Sequence, residues 1–428
     1  MPCITPLLAV LALQPQTAAP AAPAAPTVPV LHETALLAPP GPVVSPTFGL
    51  VVAWADRAPL VTGPVRSRQG GFDGQVATFE RKDGGWVARK EMPGIDGFRA
   101  GDLAFQKIAA APGLFATQVE RRAALRSDVV VFEPSPTPAG WARAGTLTTP
   151  GGQEAPAFGS AIATNGTFVL ASDVDTRMMQ GKPEVLSPTP AVHAFAKDGA
   201  GKWTRTSVIR RDPKGVSTWF GCSLSLDGDL LAVGSPKAML PVAGDPLRLA
   251  DEALVCLYRR EGGDFKQVGE VKGTSVTAFA GFGTQVVLRG DLLVVLATEA
   301  TGPGRKVFVF RRADGAWVPD GELVCAGGMD VGAGWGAGLA IAGERILVGA
   351  PNATLPGGPE RGGAVCVFQR KDGAWAETLR LLPQAKSAPA GFGGGIAVQG
   401  DQVLVNRTRN ERAGVDPGGA YLFTLPAP

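Results

Sequence analysis

Few residues in this chain have side chains suited to chemistry, and their spacing limits what that chemistry could be. There are two histidines, His32 and His193, and five cysteines, Cys3, Cys222, Cys256, Cys325 and Cys366. Two histidines far apart are too few for a His-rich metal site or a broad pH switch. No C-x-x-C occurs, so neither a redox dithiol nor zinc-ribbon spacing is present. The chain also lacks the G-x-S-x-G elbow, H-E-x-x-H and the phosphate-cradling P-loop. A catalytic reading would have to rest on paired carboxylates acting as acid and base. The most regular ones, Asp83, Asp198, Asp314 and Asp372, each precede a glycine. An aspartate in that setting makes a turn through its own backbone. No catalytic residue, cofactor or metal ligand is expected.

The elements that carry these residues recur. Five segments align: FGSAIATNGTFVLAS from Phe158, FGCSLSLDGDLLAVGSP from Phe220, FGTQVVLRGDLLVVLA from Phe282, WGAGLAIAGERILVGAP from Trp335 and FGGGIAVQGDQVLVNR from Phe392. Two weaker copies start at Phe48 and at Phe105, where Gln106 replaces the glycine. The starts lie 57, 53, 62, 62, 53 and 57 residues apart, which makes seven units. The first six units continue with an apolar run ending in an aromatic, then a tight turn and Trp86, Trp141, Trp203, Phe265, Trp317 or Trp375. Period-two alternation with β-branched and aromatic residues predicts four short strands per unit. Four strands at this period predict an all-β fold, a seven-bladed β-propeller with four-stranded blades.

The repeat explains several of the reactive residues. His193, Cys256 and Cys366 share one slot with Ala77, Val130, Phe308 and Tyr421, which predicts packing inside a sheet. Arg289-Gly290-Asp291, an adhesion-like tripeptide, falls where other units carry Asp227-Gly228-Asp229, Gly343-Glu344 and Gly400-Asp401. It therefore predicts a hairpin turn. The repeated tryptophans are expected to plug the space between neighbouring blades.

The seventh unit stops at GGAYLFTLPAP and lacks its last strand. A ring left open there would expose an unpaired strand edge. VLHETALLAPP at Val30–Pro40 matches AWAETLRLLPQ at Ala374–Gln384, so the N-terminal strand is predicted to complete the last blade. One propeller is expected over residues 28–426. Ahead of it, residues 1–16 read as an export signal through the apolar run Ile4–Leu13, and residues 17–27 as an Ala/Pro-rich linker. No run reaches the ~18–20 apolar residues of a membrane span. The 41 basic and 38 acidic residues form no polybasic tract, which argues against nucleic acid as a partner.

The pattern F-G, then an apolar strand, G-D, a second strand ending V-G-A-P, then G-A-V-x-V-F and D-G-x-W, resembles bacterial FG-GAP repeat proteins. These are related to the propeller of integrin α-subunits. The resemblance covers nearly the whole chain after the linker and is clearest from Phe220 to Phe423. It implies a seven-bladed propeller used mainly for binding, in many cases exported. Members that bind calcium carry an extended acidic loop between the first two strands. Here that loop is cut to two or three residues, too few for the six or more oxygens a calcium ion takes.

The variable segments are the longer loops, at Pro64–Gln75, Asp173–Thr189, Lys237–Asp251, Asn352–Gly362 and Arg407–Gly418. On a propeller they emerge on one face. Arg407, Arg409, Glu411 and Arg412 form the densest charge cluster and are the candidate partner-binding residues. The expected function is an exported, non-enzymatic, monomeric propeller, secreted, periplasmic or on the cell surface. It would bind a protein or glycan through its loop face. A carboxylate-dependent hydrolase or lyase using the central channel, or a structural module of the cell envelope, are the alternatives.

Overall fold

Short apolar runs broken by Asp-Gly and Gly-Asp pairs leave the backbone no length for helix and many places to reverse. In the computed structural model the described residues are 28–38, 49–66, 72–89, 103–121, 126–137, 139–149, 157–174, 190–211, 219–236, 253–273, 281–299, 304–326, 329, 334–355, 361–384, 391–407 and 418–427. Among them are 29 strands and no α-helix. The strands form seven antiparallel sheets, each meandering outward from an inner strand. The fourth blade is typical: Ser223–Asp227, Leu230–Ser235, Leu254–Glu261 and Asp264–Lys272, paired in that order. Successive inner strands lie side by side, and that of the seventh blade, Ile396–Gln399, lies beside that of the first, Val51–Ala55. The ring is closed, and the molecule is a seven-bladed β-propeller.

The repeated aromatics account for the blade spacing. Phe158, Phe220, Phe282, Trp335 and Phe392 are buried at the start of their units. Each meets an aromatic from the third strand of its own blade. Centroid separations are 6.1 Å to Phe195, 6.2 Å to Tyr258, 6.0 Å to Phe310, 6.1 Å to Phe368 and 6.0 Å to Phe423. Edge-to-face pairs like these add about 0.5–1.5 kcal/mol beyond their buried area. The glycine that follows the aromatic serves the seam. Gly283 has φ +90°, and a Cβ on Gly234, in the second strand of the preceding blade, would run into its carbonyl oxygen. The two glycines let consecutive blades touch backbone to backbone. Phe48 lies outside the described residues.

The fourth-strand aromatics do plug the seams, and two do so with a polar lock. Trp203 donates its indole N–H to Glu133 of the second blade at 3.3 Å, and Lys197 reaches the same carboxylate at 2.6 Å. Trp375 donates to Asp320 of the fifth blade at 3.1 Å, and Arg370 pairs with that carboxylate too. Trp203 packs against Gly145 and Trp375 against Gly321, each beside a bulge in the neighbouring outer strand.

The Asp-Gly turns behave as expected. Asp83, Asp314 and Asp372 take φ of 50–51°, the left-handed conformation a two-residue hairpin requires. Asp198 accepts the N–H groups of Ala200 and Lys202 at 2.9 and 3.0 Å. The inner turns are also tied to one another. Asp56 accepts from Gly113 N at 2.8 Å, Asn165 donates to Gly228 O at 2.8 Å, and Asp227 accepts from Gly290 N at 2.7 Å. Gln399 of the seventh blade donates to Asp56 O of the first.

The N-terminal segment completes the last blade through Ala35–Leu37, which pairs antiparallel with Gly419–Thr424. The sequence match had assigned the whole of Val30–Pro40 to that blade, and this is corrected. Val30–His32 instead pairs in parallel with Arg380–Leu382, as a fifth strand on the sixth blade. Glu33 and Thr34 make the crossing: the Glu33 carboxylate accepts from Gln384 N, and Thr34 N donates to Leu422 O at 2.7 Å. The free outer edge of the sixth blade gives Val30–His32 a ladder to join, so one short segment clasps two blades.

One loop is also shorter than its sequence suggested. Strands continue through Ala58–Arg66 and resume at Phe72–Lys82, with Pro64 opposite Gly74, so Pro64–Gln75 is largely hairpin.

Candidate functional site

Of the residues expected to face a partner, Arg407 ends the strand Gln402–Arg407, while Arg409, Glu411 and Arg412 lie outside the described residues. So do residues 1–16 and 17–27, most of the Asp173–Thr189 loop, and all of Lys237–Asp251. No helix among the described residues is long and apolar enough to cross a membrane. The slot residues His193, Cys256 and Cys366 are buried as expected. His193 Nε2 lies 3.1 Å from Asp173, whose other oxygen accepts from Ala191 N, so this pair ties the two ends of a long loop.

One concave feature of the described surface is on the opposite face, where the tight turns emerge. A cavity of about 1130 Å³ opens at the junction of the first, second and seventh blades. The first blade supplies Trp54 from the end of its inner strand, the Asp56-Arg57 turn, Glu80 and Arg81 from its third strand, and Trp86 and Arg89 around its fourth. The second blade supplies Pro112, Gly140 and Trp141, and the seventh the turn at Gln399–Gln402.

Aromatic packing sets its floor. Trp54 is buried and Trp86 half-buried, with centroids 6.2 Å apart and rings at 67°. Trp141 is buried edge-on against Phe115 at 5.1 Å. The Trp54 indole N–H is buried without an acceptor among the described residues. The rim is charged. Arg89 Nε pairs with Glu80 at 2.8 Å, and its guanidinium lies over Gly140, where a Cβ would collide with it. Arg57 and Arg81 are exposed at the edge. Three arginines against Asp56 and Glu80 leave a net charge of +1.

Sequence reasoning took Trp86 and Trp141 for seam plugs and did not foresee the cavity. Seam aromatics recur in the first six units, but only the first blade places a tryptophan, Trp54, in the inner strand beside one, where the later units carry smaller residues.

A second cluster lies at the seam of the fifth and sixth blades. The thiols of Cys325 and Cys366 and the carboxylate of Glu377 fall within 4.8 Å of one another. Glu377 is held by Arg380 at 2.7 and 2.8 Å and by Ala326 N at 2.8 Å.

No family model and no curated protein matches the chain. Solved structures are similar at low identity. The β-propeller domain of the Trilobed protease from Pyrococcus furiosus aligns with TM-score 0.49 and 9% identity, covering 89% of this chain and 94% of that one. Sqt1 from Saccharomyces cerevisiae aligns with TM-score 0.48 and 7% identity over 90% and 98%. Acylaminoacyl peptidase from Pyrococcus horikoshii aligns with TM-score 0.45 and 12% identity over 88% and 50%.

Proposed function

We propose that this chain is an exported, monomeric, non-enzymatic propeller of the bacterial FG-GAP repeat type, and that it binds a glycan in the cavity on its turn face. The observation that carries the reading is the pairing of an aromatic floor with a planar polar rim. A sugar ring presents an apolar C–H face and an edge of hydroxyl groups. Trp86 over Trp54 offers the apolar platform, and the exposed guanidinium groups of Arg57 and Arg81 offer the donors. A cavity of this volume is ample for a few sugar residues. The +1 balance of the rim favours an acidic sugar such as a uronic acid. The Ile4–Leu13 run and the Ala/Pro stretch support export. The loop face, including Arg407, Arg409, Glu411 and Arg412, is left for a protein partner.

Calorimetric titration of the chain with an oligouronate and with a neutral oligosaccharide of equal length tests this. The oligouronate should bind more tightly. Trp86→Ala should weaken binding at least about tenfold, or about 1.4 kcal/mol, and Arg81→Ala, at an exposed position, should weaken it with the melting temperature little changed. Replacing Arg407–Gly418 by Gly/Ser should leave saccharide binding intact. Absence of saccharide binding, or indifference to Trp86→Ala, would refute the site. Release of new reducing ends during incubation would refute the non-enzymatic reading.

A further inference from the structure

We propose that Cys325, Cys366 and Glu377 form a binding site for a single thiophilic metal ion of the zinc class. The site is independent of the glycan cavity and lies at a different seam. Cys366 belongs to the third strand of the sixth blade, Ala364–Lys371, and Glu377 to the fourth, Ala374–Leu382. Cys325 lies in the connection that arrives from the fifth blade, two residues past the strand Ala316–Leu323. Three segments therefore converge, and each contributes one ligand atom within 4.8 Å of the other two.

The surroundings are those of a prepared site. Glu377 has a fully buried side chain, and Cys366 is buried as well. Arg380 Nε donates to Glu377 Oε1, while Arg380 Nη2 and Ala326 N donate to Oε2. An ionised carboxylate has about four acceptor positions, so three are filled and one on Oε1 remains. Arg380 Nη2 also donates to Ala326 O at 3.0 Å. Both backbone groups of the residue after Cys325 are thus fixed, which holds Cys325 against Cys366. Ligands oriented by a second ring of hydrogen bonds are characteristic of protein metal sites.

Charge supports a divalent ion. Two thiolates and one carboxylate carry three negative charges, and Arg380 offsets one. A dication brings the cluster to neutrality. Sulfur ligands select soft or borderline ions over calcium and magnesium. Cys325 is only partly buried, which gives an ion a route to the cluster from solvent.

The test uses the full chain, reduced with a phosphine and freed of metal. Titration with zinc chloride should show one ion per chain with release of protons. Cobalt(II) should give the visible bands of a tetrahedral site and a near-ultraviolet sulfur charge-transfer band. Cys325→Ser, at the partly exposed position, should cut that band to about half at saturating cobalt and weaken zinc binding at least tenfold while the melting curve of the metal-free protein is unchanged. Glu377→Gln should weaken binding but keep the sulfur band. Metal uptake no greater than in the Cys325→Ser/Cys366→Ser double variant overturns the proposal. So does finding Cys325 and Cys366 joined as a disulfide in protein purified without reductant.

Discussion

Gly290 donates its backbone N–H to the Asp227 carboxylate at 2.7 Å, so the inner turn of the fifth blade hangs from that of the fourth. The tripeptide Arg289-Gly290-Asp291 is exposed, yet its central residue is bound within the ring. Asp227→Ala should lower stability by about 1 kcal/mol, the ordinary net worth of one hydrogen bond. Arg289→Ala should stay within about 0.5 kcal/mol of wild type, as exposed substitutions generally do. Urea denaturation of both variants gives the comparison, and equal losses would mean that the turn is held in another way.

The seam lock at Asp320 should be more sensitive. Asp320→Ala leaves the Trp375 N–H and the arginines Arg311 and Arg370 without their shared acceptor. A loss of about 1–3 kcal/mol is expected. A double-mutant cycle with Trp375→Phe should show coupling, because the residues meet across the seam. Strict additivity would remove the lock from the account of blade packing.

Deleting residues 28–38 removes the outer strand of the seventh blade and the added strand of the sixth together. The melting temperature should fall by several degrees or more, and the exposed edges should promote association. Hydrogen exchange should localise the new opening to Gly419–Thr424 and Arg380–Leu382. Loss of protection spread evenly over all seven blades would argue against a local clasp.

Stability should also fall in alkali for a specific reason. Burial pushes the Cys256 thiol up from 9.0 to about 11. The folded state therefore keeps its proton where the unfolded chain has lost it. The contribution is complete below pH 9 and is lost as pH rises from 9 through 11, on the order of 2 kcal/mol. Urea midpoints at pH 8, 9.5 and 10.5 should decline less steeply in Cys256→Ala than in wild type. Parallel declines would show that this thiol does not contribute.

The propeller was legible because its signals are local and repeated. Phe220, Gly221 and the turn at Asp227-Gly228 lie within nine residues of one another, and each later unit restates them. The clasp was half legible: similarity to Ala374–Gln384 identified an outer strand, but similarity cannot tell which of two adjacent free edges a residue will join. The cavity was not legible. It gathers Trp54, Trp141 and Gln399 from three blades, and no spacing in the chain relates them. Cys366 was read correctly as a packed residue, yet its second neighbour, Cys325, sits in a connection outside the repeat. Its position against Glu377 follows from the hydrogen bonds of Ala326 and Arg380, which only the folded seam creates.

Thr34 bonds to Leu422 across 388 positions of sequence, and His32 to Leu382 across 350. During synthesis the clasp emerges before the blades and must wait for the sixth and seventh to be made before it has anywhere to dock. Blades one to five can assemble as they appear, because their strands are neighbours in sequence. The ring can be sealed only after Gly419–Thr424 has been made, so the slow, long-range pairing with Ala35–Leu37 follows the assembly of the blades.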